Sequence, residues 1–325
     1  TVVLATGGAL GLYTHHSGPA ELTGDGLALA YQLGAALRDM EFVQFYPYRI
    51  YSPMTSDIFP DIFNHGAKFV NHLGQRFMEK YPKKELENRD VLAREIYAQK
   101  EVRLDLSLVD LDFLDKEAPS LARLYEKFSQ EPFLVRPVTH FTMGGLCVDS
   151  FGQTCVPGLL AAGEVTGGLH GANRLAGHAL SETVVFGRRC GLKAAQTALD
   201  VSFCHSNMPL PPLPESGRDE LKDIISNLRA LMWSKVGLIR DENGLNEALL
   251  SIDSLGRELA ARKPAHLRAF KKVSRALAMA RLIVKAALNR QESRGAHYRS
   301  DFPETREEFH GSFVFQRSNM TFQPV

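Results

Sequence analysis

Residues 158–164 read Gly-Leu-Leu-Ala-Ala-Gly-Glu, an apolar run framed by glycines and closed by a carboxylate. Too short for a helix and bounded by turn residues, the run predicts a buried strand that ends in a tight turn. Strands of this kind belong to open α/β sheets, which hold ligands beyond the carboxyl ends of their strands. The expectation is an α/β fold with a ligand beside Gly163 and Glu164. The surrounding stretch 140–191 carries eleven glycines, a His-x-Thr at His140 and Thr142, and the pair Asn173-Arg174.

A second short strand is predicted at Val2 to Leu4, followed by Ala5-Thr6-Gly7-Gly8, a turn where backbone can approach a ligand that a side chain would block. The chain thus opens inside an apolar strand, which suggests a piece of a longer protein and gives the lack of a targeting segment no weight. Thr23-Gly-Asp-Gly predicts the start of an amphipathic helix through about Leu37, with Asp25 near its N-terminus as a cap or as a ligand group. Glu41 to Tyr51 alternate apolar and polar residues and predict a strand that Pro47 ends or confines to an edge. Residues 51–138 predict an inserted α+β segment between the two parts of the first domain, 1–50 and 139–201. A strand is expected near 67–71 and helices near 89–100 and 119–129. The Pro/Ser/Gly-rich stretch 202–217 predicts a linker. Helical periodicity at about 218–236, 242–262 and 266–291 predicts a small separate bundle within 218–302, with an irregular tail over 303–325.

At 44% apolar and 23% charged, the 325 residues are globular and can bury one or two sizeable cores. The net charge of +1 argues against a polyanion-binding surface, and Lys83-Lys84 and Lys271-Lys272 read as solvated faces, so nucleic acid is not an expected partner. No run of about 18 apolar residues occurs, so any membrane role would need another subunit. Cys147, Cys155, Cys190 and Cys204 show neither CxxC spacing nor clustering with histidine. They predict buried or half-buried thiols and no metal site, and they fit a reducing, cytoplasmic compartment.

Taken in order, VVLATGG, TGDG, DMEFVQF, GQRFMEKY, NRDVLARE, HFTMGG, VPGLLAAGEV, HGANRLAGHALSE, FGRRCG and ESRGAHYRSDFP resemble the flavoprotein subunits of succinate dehydrogenase and fumarate reductase, and L-aspartate oxidase. The resemblance implies the C-terminal part of a Rossmann-like FAD-binding domain, an inserted α+β capping domain and a C-terminal helical bundle domain. The family's GxGxxG fingerprint for the pyrophosphate is not among these residues. FAD is the implied cofactor. Its implied contacts are Ala5, Thr6, Gly7, Asp25, Gly163, Glu164, Asn173, Ala179 and Leu180, with Glu164 on ribityl or ribose hydroxyls. Where the family has Asn-Ser-Leu this chain has His178-Ala179-Leu180, so a hydroxyl contact to flavin is lost while backbone contacts can remain.

The implied activity is that of an FAD-dependent oxidoreductase, a hydride moving between flavin N5 and a carbon flanked by carboxylates. Arg174 resembles the family's substrate clamp, since a guanidinium fork meets a carboxylate with two parallel bonds; the alternative is a structural salt bridge. His140 resembles the histidine that bonds the same carboxylate, with a satisfied core histidine as its alternative, and Thr142 is a further candidate. Arg89 matches the arginine that gives or takes the proton, and Asp90 could orient it or cap the helix. Two departures follow. The family's Gln-Phe-His-Pro-Thr is here Gln44-Phe45-Tyr46-Pro47-Tyr48, and its Thr-Glu-x-x-Arg corresponds approximately to Phe59 through Phe63. Asp61 and His65 are conceivable replacements for the relay. A buried carboxylate that loses a charged partner loses about 2–5 kcal/mol. The expected substrate therefore presents one carboxylate and is not a standard C4 dicarboxylate, with Tyr46 lining the rebuilt half. Alternatives are an L-aspartate-oxidase-like enzyme, or a non-catalytic or electron-transfer subunit working with an iron–sulfur partner.

Overall fold

The computed structural model describes residues 1–128, 131–199, 221–262 and 267–325. The expected linker at 202–217 and Cys204 lie outside the described residues. The chain divides into two compact units, one of residues 1–44 with 140–325, the other of residues 45–139.

The first unit opens with β1 (Val2–Leu4), α1 (Asp25–Gln32) and β2 (Leu37–Arg38). The expected helix through Leu37 stops at Gln32. Gly34 takes a left-handed φ of 96°, a common helix stop, which frees Leu37 to pair with Leu146 and Phe315. The chain then enters β3 (Val43–Ser52), which runs through Pro47 instead of ending there. Its neighbour β4 (Ser56–Asp57) pairs with Arg49 and Ile50, past Pro47.

The second unit continues with β5 (Lys68–Asn71), α2 (Arg89–Ala98), β6 (Val102–Asp105), α3 (Leu111–Glu117), α4 (Pro119–Phe128) and β7 (Phe133–Thr142). Its sheet has the order β4-β3-β7-β6-β5. Leu92 and Ile96, four apart on α2, and Leu121 and Leu124 on α4 join Phe69, Leu104, Phe133 and Val135 in one core, the helical period meeting the strand period.

Back in the first unit, β8 (Gly145–Leu146) and β9 (Leu159–Ala161) precede α5 (His178–Leu199), α6 (Lys222–Lys235), α7 (Glu242–Ala261), α8 (Leu267–Asn289), β10 (Gly311–Gln316) and β11 (Asn319–Pro324). β1 and β9 pair in parallel, Val3 opposite Leu160, as expected for an α/β sheet. The helices α6, α7 and α8 pack on one another as the expected bundle, and they lie in the same compact unit as residues 1–44. α8 packs on α1 as well as on α7, because Gly24 leaves room for Met279, whose Cγ would stand 2.9 Å from a Cβ there.

The expected irregular tail is a hairpin that joins the sheet β11-β10-β2-β8. Its two-residue turn has positive φ at both Arg317 (47°) and Ser318 (69°), the arrangement that Asn-Gly normally announces and Arg-Ser does not.

A buried ion cluster ties these pieces together. Arg290 donates to Glu41 Oε1 at 2.5 Å, to Glu292 Oε1 at 2.8 Å, and to the carbonyls of Phe309 and Gly311. Arg240 donates to the Glu41 carbonyl and to His297 Nδ1, both at 2.8 Å, which leaves the His297 Nε2 proton for the Arg290 carbonyl. Burial, and then Arg240, hold the His297 pKa well below its ordinary value, so the ring is neutral. Breaking a buried pair costs more than the pair contributes. Glu41→Gln is expected to destabilise the protein by about 3 kcal/mol, read as a lower urea midpoint at an unchanged slope.

Candidate functional site

The parallel pair β1–β9 sets two turns side by side. Gly7 (φ 73°) follows β1 and Gly163 (φ 81°) follows β9, conformations that favour glycine. Glu164 then reaches across, and its Oε1 accepts the Thr142 N–H at 2.9 Å. Burial raises the Glu164 carboxyl above its ordinary value, opposed by the N–H groups of Thr142 and Gly8 and by the charge of Arg174. A Cβ on Gly8 would lie 2.5 Å from Glu164 Oε1 and 2.7 Å from Thr142 Oγ1. The glycine is what allows the carboxylate so near the backbone.

Thr142, expected as a substrate ligand, has its hydroxyl oxygen engaged by the Ala9 N–H at 3.1 Å and is 1% exposed. It fastens the first turn to β7. Ala5 and Thr6 are exposed, and a Cβ on Gly26 would collide with the Thr6 side chain, so Thr6 packs against the start of α1. Asp25 is not a cap. Gly24 holds that position without a side-chain bond, and the Asp25 carboxylate lies 3.5 Å from Arg275 on α8.

Arg174 is 7% exposed, and its guanidinium lies over the Phe141 ring at 4.7 Å, a cation–π contact of about 1–2 kcal/mol when desolvated. Gln44 Nε2 donates to Asn173 Oδ1 at 2.9 Å and to the Arg174 carbonyl at 2.7 Å. Asn173, expected to face the cofactor, thus also braces the loop. His140 Nδ1 is 2.9 Å from Ser17 Oγ, and the hydroxyl can fix the ring in either tautomer. Behind Phe141, His170 stands edge-on at 5.2 Å. Its Nε2 is 2.8 Å from Glu182 Oε2, both side chains buried. Sequence reasoning assigned no role to Ser17, Gln44, Phe141, His170 or Glu182. The HGANR and HALSE motifs contained the last two, and nothing in their spacing marked the pairing.

α5 begins at His178, so the backbone around Ala179 and Leu180 forms a helix N-terminus, whose first N–H groups favour anionic or acceptor ligands. Leu180 is 76% exposed. The Leu180 N–H donates to the Gly177 carbonyl at 3.2 Å, so the donor offered there is the Ala179 N–H, which together with the Glu164 carboxylate fits a dinucleotide with ribose hydroxyls such as FAD.

In the second unit, Arg89 opens α2 and its guanidinium lies 5.5 Å from the centre of the Tyr46 ring. Asp90 does not cap α2, where Asn88 holds that place; it accepts from Arg94 one turn on, at 3.1 Å. Tyr46 donates its hydroxyl to the Ile58 carbonyl at 2.7 Å and packs edge-on to Tyr48. Burial, then Tyr48, raise its pKa, and burial raises that of Tyr48 to about 12, so both phenols are neutral. Phe59 is exposed, Asp61 holds Asn64 at 2.7 Å, and His65 stacks on Phe113 at 3.7 Å.

Among the thiols, Cys190 is buried and Cys147 half-buried, but Cys155, expected to be at least half-buried, is exposed. Among the described residues no group of three or more His, Cys, Asp and Glu could hold a metal ion, and no helix is long and apolar enough to cross a membrane.

Residues 1–180 match the family described as FAD binding domain, and residues 225–323 the family described as fumarate reductase flavoprotein C-term. The chain belongs to the fumarate reductase, succinate dehydrogenase and L-aspartate oxidase flavoprotein family. FAD is the cofactor of that family's domain. An uncharacterized FAD-dependent oxidoreductase of Methanocaldococcus jannaschii is 37% identical to this flavoprotein over 99% of the chain and 64% of its own length. One subunit of the fumarate reductase (CoM/CoB) of Methanothermobacter marburgensis is 35% identical over 98% of the chain and 64% of its own length. A mutant of FrdA from the E. coli quinol fumarate reductase superimposes with a TM-score of 0.85 at 25% identity, covering 100% of this chain and 65% of that one. The chain therefore spans about 64% of the length of these curated relatives.

A charge-assisted bond from ribose hydroxyl to Glu164 would contribute about 1.5–3 kcal/mol. Glu164→Ala is expected to weaken FAD roughly tenfold to a hundredfold, measured as flavin retained at equilibrium dialysis.

Proposed function

We propose that the protein is an FAD-dependent oxidoreductase whose substrate presents one carboxylate to Arg174 and His140. The observation that carries this reading is the buried Arg174 guanidinium, stacked on Phe141 and braced through its own carbonyl by Gln44. A buried cation so constrained is pre-organised for an anion, and a carboxylate matches its fork with two bonds.

Bound FAD would supply hydride exchange at N5. On the protein side, Glu164 would accept hydrogen bonds from flavin-chain hydroxyls, with Ala5, Thr6 and Gly7, Gly163, Asn173, Ala179 and Leu180 as the other proposed contacts. Asp25 is left out of this set because its carboxylate faces Arg275. Arg174 would hold the carboxylate while His140, kept in place by Ser17, bonds to it. Arg89 is carried as the proton donor or acceptor by resemblance to the family.

Tyr46 bears on the substrate. Its one proton is donated to the Ile58 carbonyl, so the residue that stands for the family's histidine offers a neutral ring and an acceptor oxygen in place of a cation. Tyr46 itself would bring no charge to a second carboxylate, the charge beside it being that of Arg89, and this exchange of the family's histidine for a phenol supports a substrate with a less anionic second end. The relative from Methanothermobacter marburgensis is by name one part of a larger enzyme, which favours a second reading, an electron-transfer subunit that serves an iron–sulfur partner.

Steady-state assays of the flavin-loaded protein separate these. Succinate and fumarate are expected to turn over far more slowly than a related monocarboxylic substrate, and Arg174→Ala to lower kcat/KM by about 100-fold or more. Fumarate or succinate turnover at ordinary enzyme efficiency would overturn the single-carboxylate reading. Flavin reduction by an electron-carrying partner, with none by any carboxylic acid, would favour the second.

A further inference from the structure

The loop that carries Arg174 is held from behind by a segment with no part in the site described above. Ala172 O accepts the N–H of Ala296 at 2.9 Å. The preceding residue, Gly295, is left-handed at φ +56°, and a Cβ there would stand 2.4 Å from that same Ala172 oxygen and 2.8 Å from the Ala172 Cβ. Backbone is thus pressed directly on backbone at the residue two before Arg174.

The same segment also supports the ring under the guanidinium. Phe141 packs with Phe42 and Met143, and Ala172 and Ala296 pack against this cluster. The Gly295-Ala296 turn therefore meets both the loop that carries Arg174 and the apolar cluster on which its head rests.

The turn is rigid for reasons that lie deeper. Arg294 and His297 exchange backbone hydrogen bonds at 2.9 and 3.0 Å. The Arg294 guanidinium grips Glu292 at 2.8 Å, and Glu292, fully buried, is in turn paired with Arg290.

We propose that the Gly295-Ala296 turn is a positioning element for Arg174, setting the site's affinity for an anionic ligand through Ala172 without belonging to the carboxylate clamp. The proposal rests on the reading of Arg174 as that clamp. A methyl group at 295 cannot be absorbed by a flexible side chain, because what it meets is backbone, so Ala172 must move. A shift of about 1 Å at a binding group is enough to cost up to about 100-fold.

The test uses the flavin-loaded protein and two probes, propionate and its neutral amide, with binding read from the visible flavin difference spectrum. Gly295→Ala is expected to weaken propionate about tenfold or more and to lower the melting temperature, while propionamide affinity and bound flavin stay close to the parent's. Gly295→Asn keeps a side chain that tolerates the left-handed backbone but places a Cβ on the same Ala172 oxygen. It is expected to weaken propionate as much, and it provides the measurement should the alanine variant fold poorly.

Arg174→Gln runs alongside as the direct control. If it abolishes propionate binding while both Gly295 variants bind propionate like the parent, the positioning role is overturned and the clamp reading stands. If propionate binding survives Arg174→Gln, the clamp reading itself is overturned, and this inference with it. Equal losses for propionate and propionamide in the Gly295 variants would also overturn the proposal, since a displaced guanidinium discriminates by charge and a general disruption does not.

Discussion

The contact on which the larger unit depends is the one Arg290 makes at the end of α8. A single guanidinium, with no exposure at all, gathers Glu41 from the link between β2 and β3, Glu292 from the turn that follows the helix, and two carbonyls from the start of the C-terminal hairpin. Three segments, around residue 41, residues 290–292 and residues 309–311, are brought to one point by hydrogen bonds that tolerate little displacement. This ties the helical bundle to the chain around Glu41, and the start of the C-terminal hairpin to both.

That anchoring bears on the site because the two carboxylates next to Arg290 lead to it by short routes. Glu41 lies one residue before Phe42, which packs under Phe141, and Glu292 holds Arg294, which precedes the Gly295-Ala296 turn. Arg174 stands in a loop, while the charges that keep that loop in place are buried behind it. Precision at the surface is obtained from rigidity inside.

Local pattern carried much of this to the sequence reader. The run 158–164 gave a strand, a glycine turn and Glu164 in register, because burial, chain reversal and a polar end each leave their own mark on residue type. The ordered motifs gave the family. What stayed hidden depended on partners distant in the chain. The turn at Arg317-Ser318 lacks the residues its backbone favours, and only pairing of Val314 with Arg38 and of Phe315 with Leu37 explains the hairpin. Thr142 and Tyr46 are expected to face a ligand, and nothing near them in sequence announces that the hydroxyl of Thr142 also meets the Ala9 amide and that of Tyr46 the Ile58 carbonyl. Asp25 and Asp90 look like helix caps by position, yet each faces an arginine. Spacing says which residues are near in sequence, and says nothing of which distant group takes the proton.

Arg240 is bonded to carbonyl oxygens and to the ring of His297, which burial keeps neutral. The nearby pairs, Arg290 with Glu41, Arg294 with Glu292 and Arg299 with Asp301, balance one another. Dissolved ions screen an enclosed charge far less than a surface one. The cluster should therefore go on holding its segments together in concentrated brine, where ion pairs at the surface would have faded.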